Sequence, residues 1–192
     1  MNYSPISPLI SINELKQSKK LAIKKYEEST YYGEIENYKR HGLGFIIYNS
    51  GRVYEGNWKD ELREGKGYEK FANGNTYEGY YSKGKPEGLG KYIWISGESY
   101  VGEWKNGLKD GKGTWKGINS EYYIGIWKKG KPDGEGVYQW DSGDKYEGEW
   151  KEGLKHGKGN HFFLNGDHYF GFFEGGKPNG FGQYNSLTKG LY

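Results

Sequence analysis

Three stretches of the sequence come close to a phosphate-binding loop. Each begins with glycine and ends in Lys-Pro, over residues 79–86, 125–132 and 171–178. A phosphate-binding loop ends in Lys-Ser or Lys-Thr, because the hydroxyl group helps to hold magnesium, and the loop opens a helix. None of the three stretches meets either condition, and all three fall at the same place in a repeating pattern. The sequence therefore does not predict nucleotide binding.

The histidines and carboxylates form no catalytic or metal-binding pattern. His161 and His168 lie in one predicted hairpin and could approach each other, but a zinc site needs three or four ligands. Tyr-Glu-Gly-Glu segments place carboxylates in pairs, yet the pairs recur on the polar face of several repeats, whereas a catalytic pair occupies one pocket. Cysteine is absent from the chain. We predict a protein that is not an enzyme, with no catalytic residue, metal or cofactor.

The sequence repeats with a period of 23 residues. We count each repeat from its tyrosine as position zero, and position two, position eleven and position thirteen are glycine in every repeat. Position four is aromatic in every repeat except the first, where it is Ile35. The seven tyrosines at position zero are Tyr31, Tyr54, Tyr77, Tyr100, Tyr123, Tyr146 and Tyr169.

Each repeat reads as a β-hairpin. Side chains alternate along a strand, so positions zero, two and four share one face. A second strand carries aromatic residues at positions fifteen and seventeen, as in Tyr92 and Trp94. The glycines at positions seven and eleven predict a turn between the strands, as in Gly-Lys-Pro-Asp-Gly at 130–134. Glycines at positions two and thirteen leave room for rings from neighbouring strands, and seven hairpins give about fourteen strands.

This pattern resembles the MORN (membrane occupation and recognition nexus) repeat family, whose units read like residues 146–159. The resemblance covers residues 31–192, with repeats that start at 31, 54, 77, 100, 123, 146 and 169. It implies an all-β repeat fold: an elongated, single-layer antiparallel β-meander of about seven stacked hairpins. It also implies that the sheet is curved into a trough with the aromatic residues on its inner surface.

Composition and charge agree with a repetitive β architecture. Hydrophobic residues make up 33% of the chain and mean hydropathy is −1.03, but 18% of the residues are aromatic, which is untypical of a disordered segment. The chain has 28 basic and 25 acidic residues, a net charge of +3. A charge so small gives the repeats no bulk attraction for nucleic acid.

The first thirty residues differ from the repeats. Residues 1–10 contain Pro5 and Pro8, which predict an extended arm, and the apolar spacing over 11–29 predicts a short amphipathic α-helix. That helix could fold onto the protein's own sheet or onto a partner. Alternatively, its basic side chains could contact anionic lipid or an acidic protein. Those side chains are Lys16, Lys19, Lys20, Lys24 and Lys25.

A 46-residue alternation lies on top of the 23-residue period. Position eight alternates between lysine and leucine, and position nine is proline in the third, fifth and seventh repeats. One hypothesis is that Leu62, Leu108 and Leu154 pack against an apolar position twelve of an adjacent hairpin. The alternative is that the alternation records duplication history without a mechanical consequence.

The function that these features favour is a non-catalytic structural scaffold or adaptor. It would bind a peptide or helix of another protein along its aromatic surface, and further strands could pair at the ends of the sheet. The resemblance implies a cytoplasmic, cytoskeleton-associated protein, with a ciliary, axonemal or radial-spoke-like assembly as the expected setting. The alternatives are a membrane-associated adaptor that binds anionic phospholipids and a regulatory partner of a separate enzyme. The predicted partner-binding residues are Tyr54, Trp58, Tyr77, Tyr81, Trp94, Tyr100, Trp104, Tyr123, Trp127, Trp140, Tyr146 and Trp150.

Overall fold

The computed structural model describes residues 21–187 and shows one antiparallel sheet whose fifteen strands follow one another in chain order. The expected all-β single-layer meander is confirmed, with one strand more than the seven hairpins supply. The strands are β1 (Leu21–Lys25), β2 (Ser29–Glu36), β3 (Lys39–Tyr48), β4 (Val53–Lys59), β5 (Leu62–Lys70), β6 (Thr76–Ser82), β7 (Lys85–Ile93), β8 (Ser99–Lys105), β9 (Leu108–Lys116), β10 (Tyr122–Lys128), β11 (Lys131–Gln139), β12 (Lys145–Lys151), β13 (Leu154–Phe162), β14 (His168–Glu174) and β15 (Lys177–Asn185).

The described strands group into two compact units that are built in the same way. The first unit holds residues 21–96 and 104–107, and the second holds residues 97–103 and 108–187. In both, position zero lies opposite position fifteen of its own hairpin, as Tyr54 lies opposite Glu69 and Tyr123 opposite Tyr138. The glycines at positions two and thirteen are also paired. The prediction that each repeat is a β-hairpin is therefore confirmed.

The first turn of each hairpin is shorter than the sequence suggested. It consists of positions six and seven, both with positive φ, as in Lys129 at 49° and Gly130 at 88°. Two consecutive residues of this kind make the type I′ turn that suits the twist of a hairpin. The predicted turn over 130–134 is therefore wrong, because strand β11 begins at Lys131. Gly134, at φ 114°, lies within that strand, where the register with β10 shifts at a β-bulge.

Successive hairpins are joined at the turns as well as along their strands. The amide of Gly130 donates to the carbonyl of Lys109 in the preceding repeat at 2.8 Å. Beside it, the carboxylate of Asp110 accepts from the amide of Lys129 at 3.1 Å. The same pair of bonds recurs one repeat later. The acidic residue at position ten thus holds the next turn in place.

The helix predicted over 11–29 is wrong for its described part, since residues 21–25 form strand β1. Its remaining residues, and the predicted arm over 1–10, lie outside the described part of the chain. Strand β1 pairs with β2, with Ala22 opposite Gly33 and Lys24 opposite Tyr31. The open edge of β2 offers backbone hydrogen bonds that outweigh the helical spacing of the side chains. No helix among residues 21–187 is long and apolar enough to cross a membrane.

Candidate functional site

The tyrosine at position zero is held over the glycine pair of its own hairpin. A methyl group built on Gly136 would lie 2.3 Å from the hydroxyl oxygen of Tyr123, and one built on Gly125 would lie 2.5 Å from it. The ring therefore occupies the space that two side chains would fill. Its hydroxyl donates to the carbonyl of Ile126 at 3.0 Å, and the same bond recurs at position zero of the other repeats.

Rings at positions zero and four interlock from one repeat to the next. Tyr123 packs edge-on against Trp127 of its own repeat at 5.1 Å and against Trp150 of the next repeat at 5.4 Å between ring centroids. The indole N–H of Trp150 donates to the carbonyl of Gly136 at 3.1 Å. Edge-to-face pairs are the favoured arrangement of aromatic rings. In each unit this lattice is the core on one face of the single sheet that residues 21–187 form.

Most of the predicted partner-binding residues belong to this core. All of them except Trp94 and Trp140 are buried, with exposed fractions of at most 8%. Burial also raises the pKa of core tyrosines such as Tyr54 and Tyr100 above its ordinary value, because the phenolate would lose its water. The sequence correctly placed these rings on one face. Their edge-on packing against the next repeat is what removes them from the surface.

The exposed part of the aromatic face lies at positions fifteen and seventeen instead. We call the partly exposed rings of the second unit the ring row. Its central members adjoin one another, with the distances measured between ring centroids: Tyr138 lies 4.7 Å from Trp140 and Trp140 lies 5.3 Å from His161, both tilted, and His161 stacks on Phe163 at 4.4 Å. Trp115 extends the row at 6.3 Å from Tyr138. The ring row therefore comprises Trp115, Tyr138, Trp140, His161 and Phe163.

The first unit has a smaller group of the same kind. Tyr92 lies 4.7 Å from Trp94 and 5.7 Å from Phe71. Except for Trp94 and Trp140, these rings were absent from the predicted site. The sequence has no signal that separates these rings from the buried rings at position four, because positions four, fifteen and seventeen all vary among the repeats.

Position nine explains the 46-residue alternation. Where it is basic, its side chain lies over the ring at position four of the next repeat, as Arg40 lies over Trp58 at 4.4 Å and Lys109 over Trp127 at 3.9 Å. Where it is proline, position fifteen is tyrosine, and that tyrosine leans onto the same ring: Tyr138 lies 5.9 Å from Trp150. The space over the ring at position four of the next repeat is thus filled either by a basic side chain at position nine or by a tyrosine at position fifteen.

The leucines at position eight are about half exposed. The exposed fractions of Leu62, Leu108 and Leu154 are 47%, 48% and 53%. Leu62 lies beside the turn of the next repeat, 3.9 Å from a methyl group built on Gly84. The contacts of position nine and position fifteen thus give the alternation a mechanical role, and packing of position eight against position twelve stays a prediction.

Two lysines of the second unit are desolvated by these rings. Burial lowers the pKa of Lys109 to about 8, against which the nearby Glu98 acts weakly. Lys155 lies 5.3 Å from the centroids of Trp140 and Phe173, and burial lowers its pKa too. Its ammonium group lies 3.4 Å from Nδ1 of His161. Burial and then this ammonium lower the pKa of His161, so the centre of the ring row holds a neutral imidazole at pH 7.

One buried carboxylate replaces a ring in the first unit. Glu69, at position fifteen of the second repeat, is 2% exposed and forms ion pairs with Arg52 and with Arg63, the latter at 2.7 Å. It also accepts from the hydroxyl of Tyr81 at 2.8 Å. Each of its oxygens therefore has partners, so this cluster is structural rather than a catalytic acid.

The basic residues predicted to contact lipid are largely outside the described chain, as Lys16, Lys19 and Lys20 are. Lys24 donates to the carbonyl of Tyr38 and lies 3.6 Å from the carboxylate of Glu61. Lys25, at the end of β1, is exposed. In the described residues this predicted basic surface is thus reduced to one solvent-facing lysine.

The described residues contain no group of histidine, aspartate and glutamate side chains able to hold a metal ion. His161 and His168 do not approach each other, because His168 lies opposite Phe162 and the two histidines fall on opposite faces of the sheet. The geometry thus defines a β-hairpin repeat protein with a closed aromatic lattice and a partly exposed ring row.

The repeats match a known family along most of the chain. The MORN repeat matches residues 31–51, 54–76, 77–99, 100–120, 123–145, 146–168 and 169–186, and the chain belongs to the MORN repeat family. Family and fold together point to a non-catalytic repeat protein. No curated protein sequence gives a significant match.

Two solved structures of peptide-bound domains show a distant likeness. The TCP domain of Drosophila melanogaster SAS-4 (dCPAP), solved with a proline-rich motif of Ana2, is 12% identical with a TM-score of 0.45, covering 97% of this chain and 98% of that domain. The TCP10 domain of Danio rerio CPAP, solved with a STIL peptide, is 10% identical with a TM-score of 0.37, covering 79% of this chain and 83% of that one. No conclusion about this chain rests on likenesses of that size.

Proposed function

We propose that this chain is a non-catalytic scaffold that binds a peptide or helix of a partner protein along the ring row and further strands at the ends of its sheet. The observation that carries the proposal is a row of adjoining, partly exposed aromatic rings that lies on the same face as the buried aromatic lattice. Large aromatic side chains of this kind supply most of the energy at protein interfaces. A partner with apolar side chains would cover the surface that the rings leave open.

The lattice beneath the ring row favours this use. Trp140 is held between Tyr138 and His161, with the ammonium of Lys155 at 5.3 Å from its ring centroid. Rings fixed before binding lose little conformational freedom when a partner arrives, so more of the contact energy becomes affinity. The neutral imidazole of His161 avoids burying a second charge beside Lys155 when a partner covers the row.

We propose further that the partners belong to a cytoplasmic, cytoskeletal assembly, of a ciliary kind such as an axonemal or radial-spoke structure. The support for this setting is the family resemblance. The alternative, an adaptor on anionic membranes, has weaker support among residues 21–187, because Lys24 is engaged by Glu61 and Tyr38.

Site-specific photocross-linking in ciliated cells would test the proposal. A photoreactive phenylalanine analogue in place of Trp140 should cross-link reproducibly to one or a few proteins. The same analogue in place of Lys116, an exposed residue on the opposite face of β9, is the matched control and should give none of these products. Equal products from both sites would contradict a ring-row interface. Co-sedimentation with phosphatidylserine vesicles, together with no protein product from the Trp140 site, would favour the membrane adaptor instead.

A further inference from the structure

Every repeat before the last is completed by its successor. In the second unit, Tyr123 is covered by Trp150 at 5.4 Å and Tyr146 by Phe173 at 5.0 Å, in both cases by the ring at position four of the next repeat. The indole N–H of Trp150 also binds the carbonyl of Gly136, at position thirteen. The tyrosines at position zero of the first six repeats are at most 1% exposed as a result.

The seventh repeat lacks this completion among the described residues. Tyr169 packs on Phe173 of its own repeat at 5.3 Å and is the one tyrosine at position zero that is not buried. No described strand pairs with the outer edge of β15, and all residues of that strand are exposed. Phe181 is 90% exposed and Tyr184 is 56% exposed. In the described residues this edge thus combines unpaired backbone groups of β15, the partly exposed ring of Tyr169 and the exposed apolar side chains of Phe181 and Tyr184.

We propose that the outer edge of β15 binds an extended segment of another chain in which tyrosine and tryptophan lie four residues apart with a glycine midway, as in the first strand of a MORN repeat. The inference rests on the proposed function, since it names the occupant of one sheet edge. The segment pairs antiparallel with β15, its tyrosine opposite Tyr184. Its tryptophan covers Tyr169 and donates to the carbonyl of Gly182.

The occupant is specified by the molecule's own repeated interface. Repeat five has Pro132 at position nine and Tyr138 at position fifteen, and repeat seven has Pro178 and Tyr184 at the same positions. What covers repeat five is β12, with Tyr146 opposite Tyr138. A peptide with the sequence of residues 144–153 is therefore the matched probe for the open edge. Extended segments that add to a sheet edge gain affinity from the backbone and specificity from alternate side chains.

Binding of that peptide can be measured by fluorescence anisotropy with the full 192-residue chain. The expected result is saturable binding that weakens at least about tenfold when the tryptophan of the peptide is replaced by alanine, because one ring pair and one hydrogen bond are lost. A peptide of the same composition in scrambled order is the control and should not bind. Equal affinity for the tryptophan and alanine peptides would overturn the proposal.

Disulfide mapping tests the register between β15 and the peptide. The chain has no cysteine of its own that could form a competing disulfide. Tyr184→Cys should cross-link to a peptide that carries Tyr146→Cys. It should cross-link far less to one that carries Glu147→Cys, whose side chain points to the other face. Ile23→Cys, an exposed site on β1, is the matched control and should react equally slowly with both peptides. A thermal unfolding curve unchanged by Tyr184→Cys would show that the edge itself is intact.

Two outcomes would overturn the inference. One is equal cross-linking of both peptides to Tyr184→Cys. The other is a disulfide-linked dimer of Tyr184→Cys without peptide, which would assign the edge to a second copy of this chain. Failure of peptide binding, with the Trp140 photocross-links retained, would remove this inference and leave the scaffold proposal standing, because the two experiments probe different surfaces.

Discussion

At the scale of single residues, the core of each repeat is a tyrosine ring that occupies the place of two absent side chains. The tyrosine and glycine spacing was enough to predict that they share a face, because strand alternation is a local property. It was not enough to predict which aromatic residues are buried. Trp127 at position four and Trp140 at position seventeen are both assigned to the aromatic face, and Trp127 is buried because its indole donates to the carbonyl of Gly113 at 3.2 Å and its ring packs against Tyr100.

The first prediction concerns the fit between ring and glycine. Gly136→Ala should lower the free energy of unfolding by about 2 kcal/mol or more, because the new methyl group would overlap the Tyr123 hydroxyl and force the ring out of place. Gly153→Ala is the matched control, because nothing lies within 4 Å of the new methyl group. This variant should lose only about 1 kcal/mol of the free energy of unfolding, the cost of placing alanine at a positive φ of 88°. Chemical denaturation would measure the free energy of unfolding of both variants. Equal losses would show that the Tyr123 ring can move aside at little cost.

The second prediction concerns Lys109, whose pKa burial lowers to about 8. Between about pH 8 and the ordinary lysine pKa of about 10.4, the unfolded chain keeps a proton that the folded chain has released, so stability should rise with pH. Above about pH 10 the effect reverses, because the unfolded chain's tyrosines ionise before the core tyrosines, whose pKa burial raises.

Thermal unfolding between pH 7.5 and 9.5 would test this. Lys109→Met should show a smaller rise in melting temperature across that range than the unaltered chain. Lys128→Met, which removes an exposed lysine at the end of β10, serves as the control. A rise of the same size in all three proteins would contradict a desolvated Lys109.

At the scale of the hairpin, position nine and position fifteen act together. A basic residue over the next ring is accompanied by Ile46, Glu69, Trp115 or His161 at position fifteen, whereas proline is accompanied by tyrosine. The alternation was visible in the sequence, but its cause was not, because both side chains contact a ring that belongs to the following repeat.

The third prediction is a positive coupling between these two positions. Lys155→Pro and His161→Tyr should each destabilise the chain, whereas the double variant should recover at least about 1 kcal/mol of the summed loss. The new tyrosine could then lean onto Phe173 and donate to Asp144, as Tyr184 donates to Asp167 at 2.7 Å. Denaturation of the four proteins gives the coupling energy. Additive losses would mean that the two positions alternate independently.

At the scale of the whole chain, the repeats were predictable and their ends were not. Strand β1 has no glycine, yet Ala22 takes the place of a position-thirteen glycine opposite Gly33, and Tyr26 lies near Arg40 at 5.6 Å, as Trp140 lies near Lys155. It is a half repeat that covers the first hairpin. A helical spacing of side chains could not reveal this, because the strand forms only when the edge of β2 is present to pair with it.

The fourth prediction follows from this difference between the ends. In a repeat protein each repeat is stabilised by its neighbours, so a repeat with one neighbour opens most often. Repeat seven has the least buried position-zero tyrosine and a wholly exposed last strand, whereas repeat one is covered by β1. Amide hydrogen exchange should therefore be fastest in β14 and β15 and slower in β2 and β3. Equal protection of amide hydrogens at both ends of the sheet would contradict the capping role of β1. The peptide of residues 144–153 should slow amide exchange in β15 and leave exchange in β2 unchanged.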